Sequence, residues 1–288
     1  MRKLEPGTTN ILIVGLGLLG GSYAQRLTEC GFRVSAITRR EQTIAYALEA
    51  GMIAAGAAFP DPALIGEADL VVFALYPHVF IEWVESYQQY LKPGALLTDV
   101  TGVKGCIVGR IQNMLRKDVE FIAAHPMAGR EVSGVENSDP GIFRAANYIV
   151  TPTEANSEEA IALCCELGRI LGFARVSRLS PEEHDRMIAF LSQLTHCIAI
   201  SLMTCQTADH LEDYTGDSFR DLTRIARLND EMWSELFLLN REALLEEMQL
   251  FEKELDRLRG LLQAGDREGL RSMMRASTAR RALFDKKV

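Results

Sequence analysis

The chain has 288 residues, 48% of them hydrophobic and 24% charged, a balance that suits a water-soluble chain of two domains, each large enough to bury its own core. Its formal net charge of -8 excludes the basic footprint of a nucleic-acid-binding domain and leaves any anionic ligand to locally placed arginines. The six cysteines are scattered and lack the paired spacing of a metal site, so reduced thiols in a cytoplasmic protein without a metal are expected.

Arg2, Lys3 and the apolar stretch after them loosely imitate a signal peptide, but the regular glycines within it give a better reading. In "ILIVGLGLLGGS", Gly15, Gly17 and Gly20 form GxGxxG directly after a strand and at the opening of a helix. Gly15 permits the tight turn, Gly17 lets the backbone approach a pyrophosphate, and Gly20 allows close helix packing. Leu18 and Leu19 open the helix whose N-terminus favours the negative charge. The second strand, "RVSAI", leads into Thr38-Arg39-Arg40, where an NAD enzyme would carry an acid for the ribose 2'-hydroxyl. A hydroxyl and two guanidiniums suit a 2'-phosphate instead, so NADP is preferred, with NAD as the alternative. The plainer reading of Arg39 and Arg40 is a solvated loop.

Further strand candidates are "DLVVFAL", "ALLTDV", "FIAAH" and "NYIVTP". Their alternation with helical stretches predicts an α/β Rossmann domain, a doubly wound and mostly parallel sheet, over residues 1–178. At Ser180 a capping box opens a long helix, with Pro181 at the first helical position and Glu183 three residues after the cap. No later strand is expected, so residues 179–288 form an all-α helical domain. From Met232 to Leu262 apolar residues recur at three- and four-residue steps, predicting one helix of about 30 residues, roughly 45 Å long. Such a helix is too long for one small domain to cover and points to a homodimer, a monomeric bundle being the alternative. No run reaches the roughly 18 apolar residues of a membrane span, so no membrane partner is expected.

Among the five histidines, His78 and His210 read as loop or helix-end residues, and His184, beside Asp185, as a capping or interdomain hydrogen-bonding residue. Asp185, Ser192 and His196 fall within about 40° on a helical wheel, a polar line that needs partners or a ligand. His125 leaves a strand at the carboxyl edge of the expected sheet, where doubly wound folds bind ligands. An unperturbed imidazole suits general-base work near neutral pH.

Taken together, "GLGLLGGS", "DVTGVKG" (99–105), "HPMAGRE" (125–131), "HDRMIAFLSQLTH" (184–196), "FRDLTRIA" (219–226) and Trp233 resemble the prephenate/arogenate dehydrogenases of tyrosine biosynthesis over nearly the whole chain. The resemblance implies a Rossmann domain joined to a helical dimerisation domain, and oxidative decarboxylation of a cyclohexadienol. Hydride leaves ring C4 for the nicotinamide, the 4-hydroxyl loses its proton and CO2 departs from C1. By the same resemblance His125 accepts that proton, Arg224 holds a substrate carboxylate with Asp221 orienting it, and His196 and Glu131 line the pocket. Lys104 adds positive charge there.

Two positions depart from the family pattern. Gly102 stands where relatives often carry serine, leaving Thr101 as the candidate to supply the missing hydroxyl, and "SQLTH" has Gln193 where "SHLPH" is commoner. Whether the substrate is prephenate or arogenate stays open, and tyrosine inhibition would have to act at the active site. A β-hydroxyacid dehydrogenase would need a lysine in its helical domain, yet none occurs between Lys117 and Lys253. A non-catalytic NADP sensor would leave His125, His196 and Arg224 without a task.

Overall fold

In the computed structural model, which describes residues 3–130 and 132–284, the β-rich runs become two sheets. The first contains β1 (Asn10–Val14), β2 (Arg33–Ile37), β3 (Ala55–Ala57), β4 (Leu70–Phe73), β5 (Leu96–Asp99) and β6 (Glu120–Phe121). They are ordered β3-β2-β1-β4-β5-β6 and every pair is parallel. This is the doubly wound order, whose direction reverses between β1 and β4. Alternation along each strand feeds two cores: Ile11 and Ile13 face one with Val34 and Val72, while Leu12 and Val14 face the other with Val71 and Phe73. Burial on both faces explains why these strands read as continuous apolar runs.

The run "FIAAH" is two strands rather than one. The chain leaves the parallel sheet after Phe121, and β7 (Ala123–Pro126) joins a second sheet with β8 (Asn147–Thr151) and β9 (Arg175–Arg178). β7 and β8 are antiparallel, with His125 opposite Ile149, and β8 and β9 are parallel. His125 therefore stands in this smaller sheet, just beyond the carboxyl end of β5. β3 and β9, short and only partly apolar, were not among the sequence candidates.

The capping box forms as its residues dictate. Ser180 Oγ accepts from Glu183 N at 3.2 Å and Ser180 N donates to Glu183 Oε2 at 3.0 Å. The helix it opens, Pro181–Ile188, continues through a π segment, Ala189–Gln193, into Leu194–Thr204. The π segment breaks the 3.6-residue period, so Asp185 and His196 do not share the line that a regular wheel assigns them. The whole run, 24 residues, is long and apolar enough by length and composition to cross a membrane, although the sequence reading expected no such segment. The difference arises because an average over a window absorbs the isolated polar residues that interrupt each apolar stretch.

The expected single helix over 232–262 is also divided. Asp230–Leu239 ends at Asn240, whose φ of -115° and ψ of 27° leave the helical region, and Arg241–Gln263 follows. Asn240 Nδ2 donates to Asp185 O at 2.9 Å and to Gln193 Oε1 at 2.7 Å, so tertiary hydrogen bonds hold the break. By internal contacts the chain divides into two compact units, Met1–Asn240 and Arg241–Val288. Within the second unit, Gly265 at φ +63° separates Arg241–Gln263 from Arg267–Arg281, and Asp266 caps the latter through Gly269 N.

Candidate active site

At the end of β1 the backbone turns at Gly15, with φ +98°, and Gly15 N donates to Ile37 O at 2.8 Å. A Cβ on Gly15 would collide with Ala74 O, and one on Gly20 would collide with Gly15 O, so the helix Leu18–Glu29 packs directly on the turn. Gly17 differs: a Cβ there would meet nothing within 4 Å. It is the helix N-cap and makes no side-chain capping bond. This leaves a helix N-terminus with open space before it, suited to a diphosphate. Leu18 and Leu19 are half-buried in its first turn. Next to the cradle, where β2 ends, Thr38 is half-buried and its N donates to Ala57 O at 3.1 Å, while Arg39 and Arg40 are exposed.

Beyond β5, residues 99–105 form a buried polar clamp. Lys104 and Asp99 have side chains 0% exposed and paired at 2.6 Å. Lys104 Nζ also donates to Ala124 O at 2.6 Å and to Thr101 Oγ1 at 3.2 Å, which uses all three of its hydrogens. Asp99 Oδ1 accepts from Ala124 N at 3.1 Å, while its Oδ2 takes the Thr101 hydroxyl and the Thr101 N–H. Both backbone groups of the residue before His125 are thus held by one ion pair. Burial pulls the Lys104 ammonium below its usual value, against the pull of Asp99. The sequence reading of Lys104 as a pocket cation is corrected here, since it has no donor left for a ligand. Thr101 cannot replace the serine hydroxyl absent at Gly102, because its own hydroxyl lies between Asp99, Val103 O and Lys104. Gly102 itself faces the site: a Cβ there would lie 3.9 Å from His125 Cε1 and 3.5 Å from Leu236.

His125 is half-buried, with Nδ1 2.9 Å from His184 Nε2. His184 Nδ1 lies 2.7 Å from Asp185 Oδ1. Asp185 in turn accepts from Lys104 N at 2.8 Å and Gly105 N at 2.7 Å, at the start of the helix Gly105–Met114. Burial, then the neighbouring His184 and Lys104, push the His125 imidazole well below its ordinary value. Burial also lowers His184, with Asp185 pulling the other way.

His196 lies in Leu194–Thr204, where its Nδ1 bonds Ser192 O at 2.8 Å and its ring stacks on Trp233 at 3.8 Å and 33°. The helix Asp217–Thr223 carries exposed Asp221. It runs into the short turn Arg224–Ala226, which packs against Leu194–Thr204 and leaves Arg224 exposed. Glu131 lies outside the described residues. His78 bonds Glu235 through N at 2.9 Å and Nδ1 at 2.8 Å.

Residues 23–173 match the sequence model of the prephenate dehydrogenase nucleotide-binding domain, and residues 180–276 that of the prephenate dehydrogenase dimerization domain. The chain belongs to the prephenate dehydrogenase family. It is 32% identical to the prephenate dehydrogenase of Lactococcus lactis over 258 residues, covering 86% of this chain and 70% of that protein. The Bacillus subtilis prephenate dehydrogenase is 28% identical over 269 residues, covering 90% of this chain and 72% of the relative. The crystal structure of A. aeolicus prephenate dehydrogenase in complex with hydroxyphenyl propionate and NAD+ superimposes with a TM-score of 0.89 at 30% identity, covering 99% of this chain and 100% of that one.

Within this member of the prephenate dehydrogenase family, the fold brings His125 together with the segment 99–105, and the helix carrying His196 together with the Arg224 turn. Sequence reasoning missed Asp99 and the bond from His184 to His125. The adjacent His184-Asp185 pair was visible, but its partner lies 59 residues earlier in the chain.

Proposed function

We propose that the chain catalyses the oxidative decarboxylation of prephenate or arogenate, with hydride transfer to a nicotinamide dinucleotide, in tyrosine biosynthesis. The observation that carries this reading is His125: a half-buried imidazole held by a second histidine beside the segment 99–105, in a chain of this family. The open N-terminus at Gly17 fits the diphosphate of such a cofactor, whose nicotinamide supplies the hydride acceptor when bound. Exposed Arg39 and Arg40, with Thr38, would hold a 2'-phosphate, which favours NADP over NAD.

His125 takes the 4-hydroxyl proton as hydride leaves ring C4. Loss of hydride builds positive charge on the carbon bearing the hydroxyl, and a neutral imidazole relieves it. The C1 carboxylate departs as CO2, its bonding pair enters the ring, and the product phenol oxygen recovers a proton. Aromatisation drives the step, so the chain mainly orients the ring and keeps its base neutral. Arg224 would bind the substrate carboxylate, with Asp221 beside it, and His196 on Trp233 would line the pocket with Glu131 and the backbone at Gly102. The homodimer forms through residues 179–288.

Incubation of purified protein with each of prephenate and arogenate, and each of NAD and NADP, tests the reading by absorbance of the reduced nicotinamide near ~340 nm. Turnover with one ring substrate and higher kcat/KM with NADP is expected. Absence of turnover with both substrates would end the catalytic reading, and a clear NAD preference would end the role of Arg39 and Arg40.

A further inference from the structure

We propose that His184 and Asp185 are positioning residues that lock His125 in the tautomer with its lone pair on Nε2, making that nitrogen the proton acceptor. The inference rests on the catalytic reading above for its kinetic consequence, but the tautomer follows from geometry alone.

Asp185 takes two backbone N–H groups, from Lys104 and Gly105, at the start of a helix, where a carboxylate is favoured. An ionised carboxylate donates nothing, so the contact at 2.7 Å requires the hydrogen to be on His184 Nδ1. Neutral His184 then has only a lone pair on Nε2. The contact of that atom with His125 Nδ1, at 2.9 Å, requires the hydrogen on His125 Nδ1. The remaining nitrogen of His125, Nε2, carries the lone pair. When Nε2 accepts one proton from the substrate hydroxyl, the new positive charge is hydrogen-bonded to His184, whose other nitrogen is bonded to Asp185. No proton has to leave Asp185 or reach it.

The same residues hold the backbone of the base. Asp99 and Lys104 clamp the amide groups of Ala124, and the backbone N–H of Lys104 anchors Asp185. The segment 99–105 therefore fixes His125 both through the preceding residue and through its ring. The ionisable groups around this arrangement are Asp99 and Lys104 from that segment, Cys106 from the helix Gly105–Met114, and His184 and Asp185 from the helix Pro181–Ile188.

The direct test is nitrogen NMR of full-length protein labelled with 15N-histidine, with His125 resonances identified by their absence in His125→Gln. In the ligand-free protein near pH 8, Nε2 of His125 should give the shift of an unprotonated ring nitrogen and Nδ1 that of a protonated one. In Asp185→Asn, an amide N–H turned toward His184 should reverse or average this pattern. The opposite pattern in the wild type would overturn the proposal, whether or not the protein turns over prephenate or arogenate.

A second pair of variants supplies the kinetic readout. His184→Gln keeps an acceptor near the position of Nε2, whereas His184→Leu removes it. Gln should retain kcat within about 10-fold and Leu should lose about 100-fold or more, with KM for the ring substrate little changed in either. Equal losses in Gln and Leu, or a change confined to KM, would show that His184 only supports the fold.

Discussion

Residue by residue, the proposed chemistry rests on His125 and Arg224. His125→Asn keeps the size of a polar side chain but removes the basic nitrogen, and kcat should fall by about 10²- to 10⁴-fold while cofactor affinity stays within about twofold. Steady-state kinetics with a fluorescence titration of the cofactor would show both. Because burial and its neighbours hold His125 below the ordinary histidine value, the neutral form persists as pH falls. The acid limb of kcat/KM should therefore lie below about pH 6.5, the unperturbed value; a limb at or above it would contradict the burial argument. Arg224→Ala should raise KM for the ring substrate by about tenfold or more, since a charge-assisted bond to a carboxylate is lost, and leave the KM of the cofactor unchanged. An unchanged substrate KM would return Arg224 to a surface role. At this scale the sequence was legible where a local pattern marks a residue. His125 stood out by its place after an apolar run, and Gly15 by its turn. Lys104 was misread because nothing local to "DVTGVKG" says that the ammonium points inward to Asp99 and Ala124.

Among the elements, the loop from β5 to the next helix is held by an ion pair that neither water nor a ligand reaches. Removing one member leaves the other buried without its partner, which costs about 3–5 kcal/mol. Lys104→Met should lower the unfolding free energy in urea by about that amount, and the smaller effect of a merely exposed pair, under about 1 kcal/mol, would show that Asp99 finds water instead. The parallel sheet was legible because its strands are apolar on both faces and separated by helices. The division of "FIAAH" was not, since a continuous apolar run does not record which sheet each half enters. The break at Asn240 was hidden for a related reason: apolar periodicity continues across it, and the bonds from Asn240 to Asp185 O and Gln193 come from residues about 50 positions away in sequence.

For the whole molecule, the second unit offers the best evidence for self-association. Along Arg241–Gln263 the residues Leu244, Met248, Phe251, Leu255, Leu258 and Leu262 alternate four- and three-residue steps, the spacing of a coiled-coil seam. Phe251, Leu255 and Leu262 are exposed. Replacing Phe251 and Leu255 together by Glu should convert a dimer to a monomer in analytical ultracentrifugation; retention of the dimer would place its interface elsewhere. Such a seam was legible in the sequence as an unusually long periodic run, which pointed to a homodimer. The π segment at Ala189–Gln193 carries a different lesson for the chain as a whole. Deleting a single residue there would let the segment revert to a regular α-helix with the rings of His184 and His196 near their present headings, whereas deleting two would turn the helix beyond by about 100° and swing the His196 ring off the indole of Trp233. The length of this stretch is thus set by two rings at once, and beyond the one residue that the π turn holds, changes of length that a surface loop would absorb become a change of aim.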